Sequence, residues 1–204
     1  MHTVVPYAAE NPKTRLSGVL DPDERRAFAR AMLADVLAAV RDAGGEPTVL
    51  ATRPVEIDAP VTLDDRALST AVNAAIDGRR GPVAVVMADL ALATGDAVGR
   101  LYGTGGDVAI APGLGGGTNA LAVRHDGFRV DYHGASFRDH RERAEAVGAS
   151  LAVVDSFRLA TDVDERADLA EVLLHGDGAA RDWLADAGFE LDAGDGRVEV
   201  VRRE

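Results

Sequence analysis

Short runs of β-branched residues alternate along this chain with longer amphipathic stretches rich in alanine and arginine. A strand that precedes each helix is the pattern of an α/β fold, in which helices cover both faces of a largely parallel sheet. The run 82–87 is apolar throughout, as expected for a strand buried on both faces. We therefore predict a Rossmann-like α/β fold with a mostly parallel central sheet.

The element boundaries follow from periodicity and from turn residues. Predicted strands cover 3–6, 48–52, 82–87, 108–111, 121–124 and 149–154, and a C-terminal hairpin over 189–201 turns at Gly194-Asp195-Gly196. Predicted helices begin at Pro22 and cover 64–76, 136–147 and 164–174. In the first helix, Phe28, Met32, Val36 and Val40 recur every four residues and predict one buried stripe. Because no linker or repeat divides the chain, residues 1–204 are expected to form a single domain.

The charge balance excludes several classes of partner. Thirty-four acidic and 22 basic side chains give a formal net charge of -12. A general nucleic-acid binder or a protein that docks on anionic lipid needs a basic surface, so neither class fits. The chain has no cysteine, which excludes thiolate metal sites and a cysteine nucleophile. With no signal peptide and no apolar run of membrane-spanning length, we expect a cytoplasmic protein.

Lys13 is the only lysine among the 22 basic residues. An acidic surface that is poor in lysine is typical of proteins adapted to high salt, although a high-GC coding bias would also favour arginine over lysine. Under either explanation the retained lysine stands out. It lies with Arg15 in the loop that follows the first strand, where α/β sheets bind ligands. This loop is interpreted as a triphosphate site, with an ordinary basic turn as the alternative.

Carboxylates follow the apolar strand and precede a later helix. Asp89 lies just beyond 82–87, at the expected carboxyl edge of the sheet, where a carboxylate and substrate phosphates together suit Mg²⁺. Asp162 and Asp164 would supply a second carboxylate if they reach the same edge. The alternatives are helix capping for Asp89 and for Asp164, because aspartate is common at N-caps.

Two glycine-containing segments are candidate ligand loops. Residues 113–117 are rich in glycine and lead into Thr118 and Asn119, so the backbone can approach a ligand closely; a flexible hairpin is the alternative. Residues 133–137 form a turn into a helix, with Ser136 as the expected N-cap and an anion site at the helix start. Among five histidines we find no metal-ligand spacing, and only His140 remains of interest.

These segments, in this order, resemble the archaeal 2-phospho-L-lactate guanylyltransferase family, the CofC proteins of coenzyme F-420 biosynthesis. The resemblance runs from residue 4 to about residue 174. Five segments carry it: Asn-Pro-Lys-Thr-Arg-Leu at 11–16, Val-Met-Ala-Asp-Leu at 86–90, Gly-Gly-Gly-Thr-Asn-Ala-Leu at 115–121, Gly-Ala-Ser-Phe at 134–137 with His140, and Asp-Val-Asp at 162–164. The Gly-Gly-Gly-Thr-Asn-Ala-Leu segment is the most diagnostic. The chain differs from many members in having Asp-Leu-Ala at 89–91, where they have Asp-Leu-Pro, and in having His133 where some have glycine.

The resemblance implies a GT-A type nucleotidyltransferase fold, a divalent metal such as Mg²⁺, and GTP as substrate. The acceptor would be a small phosphorylated three-carbon acid, either 2-phospho-L-lactate or phosphoenolpyruvate. It further implies a homodimer whose product passes to a downstream lactyl-phosphate transferase.

The resemblance also assigns residues. Asp89 with Asp164 or Asp162 would bind metal, and Lys13 and Arg15 would neutralise the departing pyrophosphate. The nucleotide would contact these two cations together with Pro6, Asn11 and Asn73, the last as reader of the base. The acceptor would contact Gly117, Thr118, Asn119, Gly134 and Ser136. Two alternatives stay open, namely another cofactor nucleotidyltransferase, such as a molybdopterin cytidylyl- or guanylyltransferase, and a non-catalytic GTP-binding module.

Overall fold

The computed structural model of the chain describes residues 1–194, 196 and 198–203. The strands are β1 (His2–Tyr7), β2 (Glu46–Ala51), β3 (Val61–Leu63), β4 (Val83–Val86), β5 (Val108–Pro112), β6 (Thr118–Val123), β7 (Leu151–Val153), β8 (Phe189–Asp192) and β9 (Glu199–Arg202). The helices are α1 (Pro22–Asp42), α2 (Leu68–Asp77), α3 (Gly95–Gly103), α4 (Ser136–Ala146), α5 (Phe157–Ala160), α6 (Asp168–His175) and α7 (Ala179–Asp186), with a 3-10 turn at Thr14–Leu16.

Seven strands form one sheet in the order β3-β2-β1-β4-β6-β5-β7. Every neighbouring pair is parallel except those made by β6, which runs antiparallel to both β4 and β5. The mostly parallel sheet is therefore confirmed. The reversed strand follows from the short glycine-rich turn at 113–117, because so few residues can connect neighbouring strands only as a hairpin.

Alternating side chains on the central strands build two cores, one on each face of the sheet. Val5 and Val86 face the larger core, which α1, α3, α6 and α7 cover. Val4 and Val85 face the smaller core, where residues of α2 and α4 pack around Phe128. A strand buried on both faces must be apolar at every position, which is why β4 has no polar residue.

The sequence signals of α1 correspond to its structure. Asp21 accepts hydrogen bonds from the backbone N–H groups of Asp23 and Glu24, and the Glu24 carboxylate accepts the N–H of Asp21, which completes a capping box. The predicted stripe is buried, with Phe28 and Met32 against the sheet. Trp183 of α7 packs on Phe28, with 5.3 Å between ring centroids.

Several boundaries differ from the prediction. Helix α2 begins at Leu68 instead of residue 64, because residues 61–63 pair with β2 as an edge strand and 64–67 form a loop. Helix α6 begins four residues later than predicted, and α3, with its three glycines, and α7 had no predicted counterpart. Tertiary packing outweighs weak local propensity in these segments.

The C-terminal hairpin is confirmed by the antiparallel pairing of β8 with β9. Of its predicted turn, Asp195 lies outside the described residues. In the described ranges, no helix combines the length and the apolar character needed to cross a bilayer. The sheet order places the carboxyl ends of β3, β2, β1 and β4 side by side, and the candidate site lies along this edge.

Candidate functional site

A cavity of about 490 Å³ opens along the carboxyl ends of β1 to β4. Each strand contributes the residues that follow it: the loop after β1 supplies Lys13 and Arg15, β2 leads to Thr52, β3 leads to Asp64, and β4 leads to Asp89. Apolar residues, among them Met32, Leu50, Leu68, Ala71 and Met87, complete the lining. A partly apolar cleft with a few charged groups at this edge is the usual form of a ligand site in α/β sheets.

The loop after β1 has an unusual backbone. Asn11 and Lys13 have φ angles of 45° and 53°, in the left-handed region that residues other than glycine seldom adopt. Such strain is common at functional sites and needs support from surrounding contacts. Arg25, a buried residue of α1, gives that support by donating to the carbonyls of Pro12 and Leu20, both at 3.2 Å, on either side of the Thr14–Leu16 turn.

Lys13 joins two carboxylates from distant parts of the chain. Its ammonium donates to Asp89 Oδ2 and to Asp164 Oδ1, both at 2.7 Å, and its side chain is only 10% exposed. Burial by itself would lower the pKa of Lys13, but the charges of Asp89 and Asp164 outweigh it, so the pKa is raised and the ammonium stays charged. Arg15 is 67% exposed and its guanidinium lies 3.7 Å from Asp164.

Backbone contacts bring Asp164 to Asp89. The N–H of Val163 donates to the carbonyl of Asp89 at 3.2 Å, which fixes this segment against the loop after β4. Asp168 accepts the N–H groups of Asp164 and Glu165. The alternative role of Asp164 as a helix cap is wrong, because the N-cap of α6 is Ala167, and the Asp164 carboxylate accepts from Lys13 instead.

Asp162 has a different environment. Its Oδ1 accepts a hydrogen bond of 3.1 Å from the amide of Asn119, which also donates to the carbonyl of Ala160. The amide N–H groups of Asn119 thus hold the 160–162 segment, and the structure gives no support to their use on an acceptor substrate. A larger residue at 113 would displace this amide, because a Cβ there would lie 2.5 Å from Asn119 Oδ1.

The residues around Lys13 fit a divalent cation. Asp89 Oδ1 is buried and has no hydrogen-bond partner among the residues that the structure describes. An unpaired buried carboxylate oxygen is costly, and a cation would satisfy it. Within the same residues there is no group of three or more His, Cys, Asp or Glu side chains arranged for a metal. Two carboxylates alone suit Mg²⁺, which commonly takes its other ligands from water and substrate phosphates.

Thr118 and Ser136 lie next to the glycine-rich turn. Thr118 Oγ1 is 2.8 Å from His140 Nδ1, and a Cβ at Gly117 would lie 4.0 Å from Ser136 Oγ. Gly134 has a φ of 47°, which turns the chain into α4. The prediction that Ser136 is the N-cap is wrong: Ala135 holds that position, and Ser136 is already helical.

Asn73 does not reach the cavity, so its predicted contact with the base is not supported. Its amide donates to the carbonyl of Val130 at 3.0 Å and accepts the N–H of Val130 at 2.8 Å. Ser69, one turn earlier on α2, accepts the N–H of Tyr132. Since residues 128–132 pair with no strand, these side chains satisfy their backbone groups. Both polar atoms of the Asn73 amide are thus engaged with the backbone of Val130.

Sequence reasoning missed Asp64, Arg66 and Arg25. Asp64 and Arg66 line the cavity beyond β3, and the Arg66 guanidinium donates to both Asp64 oxygens at 2.5–3.1 Å. Hydrogen bonds from Arg66 lower the pKa of Asp64. Of the other predicted contacts, Pro6 lines the cavity, whereas Asn11 is an exposed residue of the loop. Recognition of β3 as a strand would have placed Asp64 at the ligand edge.

Residues 1–203 match the family model described as guanylyl transferase CofC like. A 2-phospho-L-lactate guanylyltransferase from Natronomonas pharaonis is 63% identical over 203 residues, which cover all of both chains. A protein of the same name from Halomicrobium mukohataei is 60% identical over 202 residues, covering 99% of this chain and 100% of the relative.

Solved structures agree with the fold. A chain from Desulfovibrio desulfuricans, assigned to the nucleotide-diphospho-sugar transferases, superposes with a TM-score of 0.72 at 16% identity. The match covers 91% of this chain and 94% of that chain. The α/β fold of this chain is thus shared with that structure.

Proposed function

The chain belongs to the CofC-like guanylyl transferase family, and on that premise we propose that it condenses GTP with 2-phospho-L-lactate. The products are lactyl-2-diphospho-5'-guanosine and pyrophosphate, as an intermediate step of coenzyme F-420 biosynthesis. The observation that carries the proposal is the meeting of Lys13 with Asp89 and Asp164 at one end of an otherwise partly apolar cavity. A cation beside two carboxylates is what a metal-bound triphosphate needs.

The dimensions of the cavity support a nucleoside triphosphate. It spans the ends of four adjacent strands, which at normal strand spacing corresponds to roughly 14 Å. Its charged end lies beyond β1 and β4, where Lys13, Arg15 and Asp89 converge. Its other end lies beyond β3 and is lined by Asp64, Arg66 and Leu68. We place the phosphates at the first end and the base at the second.

Asp64 and Arg66 replace Asn73 as the proposed readers of guanine. Guanine presents two neighbouring donors, on N1 and N2, which pair with an acceptor such as a carboxylate. It presents acceptors at O6 and N7, for which the guanidinium of Arg66 is a partner. The Asp64 side chain is 13% exposed and is held by Arg66, so the pair is oriented before the base binds.

Asp89 and Asp164 would hold the divalent metal, and Asp162 would support them through its bond to Asn119. The unpaired Asp89 Oδ1 supports this assignment. When bound, Mg²⁺ supplies positive charge that neutralises the phosphate groups at the reacting centre. Lys13 would keep its bond to Asp89 Oδ2 or turn to the phosphates, since the oxygen left for the metal is Asp89 Oδ1.

The chemistry needs positioning more than proton transfer. A phosphate oxygen of the acceptor acid attacks the α-phosphorus of GTP and forms a new P–O bond. The bond between the α-phosphorus and the oxygen that bridges it to the β-phosphorus breaks, and pyrophosphate leaves with that oxygen. Because the attacking phosphate is already anionic near neutral pH, no general base is required. Lys13 and Arg15 stabilise the charge on the leaving pyrophosphate.

The acceptor site is proposed at the start of β6 and of α4. The hydroxyls of Thr118 and Ser136 and the backbone at Gly117 and Gly134 would hold the carboxylate and phosphate of the acid. The bond of 3.0 Å from the N–H of Met87 to the carbonyl of Asn119 supports this placement, because it joins the start of β6 to the segment that leads to Asp89. We further propose that the enzyme is a cytoplasmic homodimer and that its product is consumed by a lactyl-phosphate transferase.

Pyrophosphate release tests the function. Purified protein in concentrated KCl would receive Mg²⁺ and GTP with phospholactate, with phosphoenolpyruvate, or with neither acid. We expect release that depends on phospholactate, with trapping of the product by the downstream transferase. If pyrophosphate is released with phosphoenolpyruvate and not with phospholactate, the acceptor in the proposal changes and the reaction type stays the same. Nucleotide binding with no release for any of the four triphosphates would favour a non-catalytic module.

A further inference from the structure

His140 is a buried residue whose two ring nitrogens are both engaged. Its Nδ1 lies 2.8 Å from Thr118 Oγ1, and its Nε2 lies 2.8 Å from the backbone nitrogen of Asp131. The residue is 0% exposed, and its ring packs against Phe128 and Tyr132, with centroid distances of 6.0 Å and 5.3 Å. A ring fixed in this way has one orientation.

The contact with Asp131 determines where the ring proton lies. A backbone N–H can only donate, so Nε2 must accept and carries no proton. The proton of the neutral ring is therefore on Nδ1, and Nδ1–H donates to Thr118 Oγ1. Burial, with a smaller contribution from Arg143, lowers the pKa of His140 to about 4, which keeps the ring neutral at the pH of the assay.

This tautomer limits what the Thr118 hydroxyl can do. Its oxygen accepts from His140, so its single hydrogen must be directed to another group. Among the described residues, the Thr118 hydroxyl donates to no other group. Thr118 begins β6 directly after Gly117, and the carbonyl of the next residue, Asn119, accepts the N–H of Met87 on the segment that leads to Asp89.

We propose that His140 is a positioning residue that fixes Thr118 as a hydrogen-bond donor toward an anionic oxygen of the acceptor acid. The inference rests on the proposed function. A carboxylate or phosphate oxygen accepts only, so a hydroxyl that already accepts from His140 presents its hydrogen with no competing orientation. A purely structural role for His140, through Asp131 and the aromatic packing, is the explanation to be distinguished.

A double-mutant cycle separates the two roles. His140→Leu removes the bond to Thr118, His140→Asn keeps a side-chain N–H at the corresponding position, and Thr118→Val removes the hydroxyl. We expect His140→Leu to raise KM for the acid about tenfold with KM for GTP unchanged, and His140→Asn to restore most of the loss. In the Thr118→Val background, His140→Leu should raise the KM for the acid no further. If His140→Leu raises this KM by the same factor in the unmodified protein and in Thr118→Val, the proposal is overturned.

The tautomer is measurable without turnover. In the ¹⁵N-labelled protein near neutral pH, we expect a protonated Nδ1 and an unprotonated Nε2 for His140. A protonated Nε2 in an active enzyme would overturn this inference and leave the proposed function intact. Absence of pyrophosphate release by the unmodified protein would overturn the proposed function, and the positioning role with it, whatever the tautomer.

Discussion

The partly buried ammonium of Lys13 donates a hydrogen bond of 2.7 Å to the carboxylate of Asp89, and the same ammonium binds Asp164. Lys13 thus lies between the two carboxylates that are proposed to hold the metal. The ammonium occupies Asp89 Oδ2 and Asp164 Oδ1, so a divalent cation bound at the unpaired Asp89 Oδ1 would compete with it for the negative charge of the same carboxylates. Metal binding in the absence of nucleotide should therefore be weak, because the ammonium repels the cation and no phosphate is present to attract the ammonium away.

Lys13→Met tests this competition. We expect the Kd for Mn²⁺ without nucleotide to fall by about tenfold, since the carboxylates lose their partner, while kcat for pyrophosphate release falls by about 100-fold or more. Mn²⁺ titration followed by electron paramagnetic resonance measures the first effect. Arg15→Met is the matched control, because this exposed side chain lies farther from Asp164 and should leave the Mn²⁺ affinity unchanged. Equal affinities in Lys13→Met and the unmodified protein would exclude competition.

The three aspartates should differ in importance. Asp89→Asn and Asp164→Asn each remove a charge that contacts the cation site, and we expect either change to reduce kcat by about 100-fold or more. Asp162→Asn keeps an oxygen that can accept from Asn119, so its loss should be about tenfold smaller. Steady-state kinetics over a range of Mg²⁺ concentrations gives the comparison. A loss in Asp162→Asn as large as that in Asp164→Asn would assign the metal to both residues.

Arg25 should affect GTP binding without contacting GTP. Arg25→Met removes the donors to the carbonyls of Pro12 and Leu20, so the loop that presents Lys13 loses its support. We expect KM for GTP to rise about tenfold and the free energy of unfolding to fall by about 1–3 kcal/mol. Arg26→Met, at the neighbouring exposed position, is the control and should change neither quantity. Normal GTP kinetics in a destabilised Arg25→Met variant would limit Arg25 to a structural role.

Base selectivity tests the role given to Asp64. Inosine triphosphate lacks the N2 amino group of GTP, so loss of the acceptor should reduce the difference between the two nucleotides. We expect Asp64→Ala to lower the preference for GTP over inosine triphosphate by about tenfold in kcat/KM. Asp65→Ala, which alters an exposed neighbour, should retain the preference. An unchanged preference in Asp64→Ala would place guanine recognition elsewhere.

His140 predicts a pH dependence of stability. The pKa of this buried ring is lowered from 6.5 to about 4, so the unfolded chain takes up the proton first as the pH falls. The contribution of the neutral ring to the free energy of unfolding is complete above pH 6.5 and is lost as the pH falls toward 4. Between about pH 7 and about pH 5 this loss is about 2 kcal/mol. Urea unfolding of the unmodified protein and of His140→Asn should show a smaller pH effect in the variant. Identical pH effects would contradict the assignment.

Local signals predicted much of the fold. The uniformly apolar β4 indicated a strand buried on both faces, and Asp21 with Glu24 indicated the start of α1. In contrast, β3 is three exposed residues whose strand conformation depends on pairing with β2, and nothing local distinguishes 64–67 from the first turn of a helix. The missed strand explains why Asp64 and Arg66 were also missed. The single-domain organisation stays a prediction.

The sequence by itself determined the class of the fold, the family and the set of chemically capable residues, because periodicity and short motifs are local properties of the chain. Only the tertiary structure decided which of those residues meet. Asp164 accepts a hydrogen bond from Lys13, 151 positions away in the sequence. Asp162 accepts one from Asn119, and the amide of Asn73 donates to the carbonyl of Val130. Which carboxylate reaches a cation depends on backbone bonds such as that from Val163 to Asp89, and the proton position on His140 depends on one N–H of Asp131. Contacts between residues far apart in sequence leave no periodic or spacing signal, so they follow only from the packed chain.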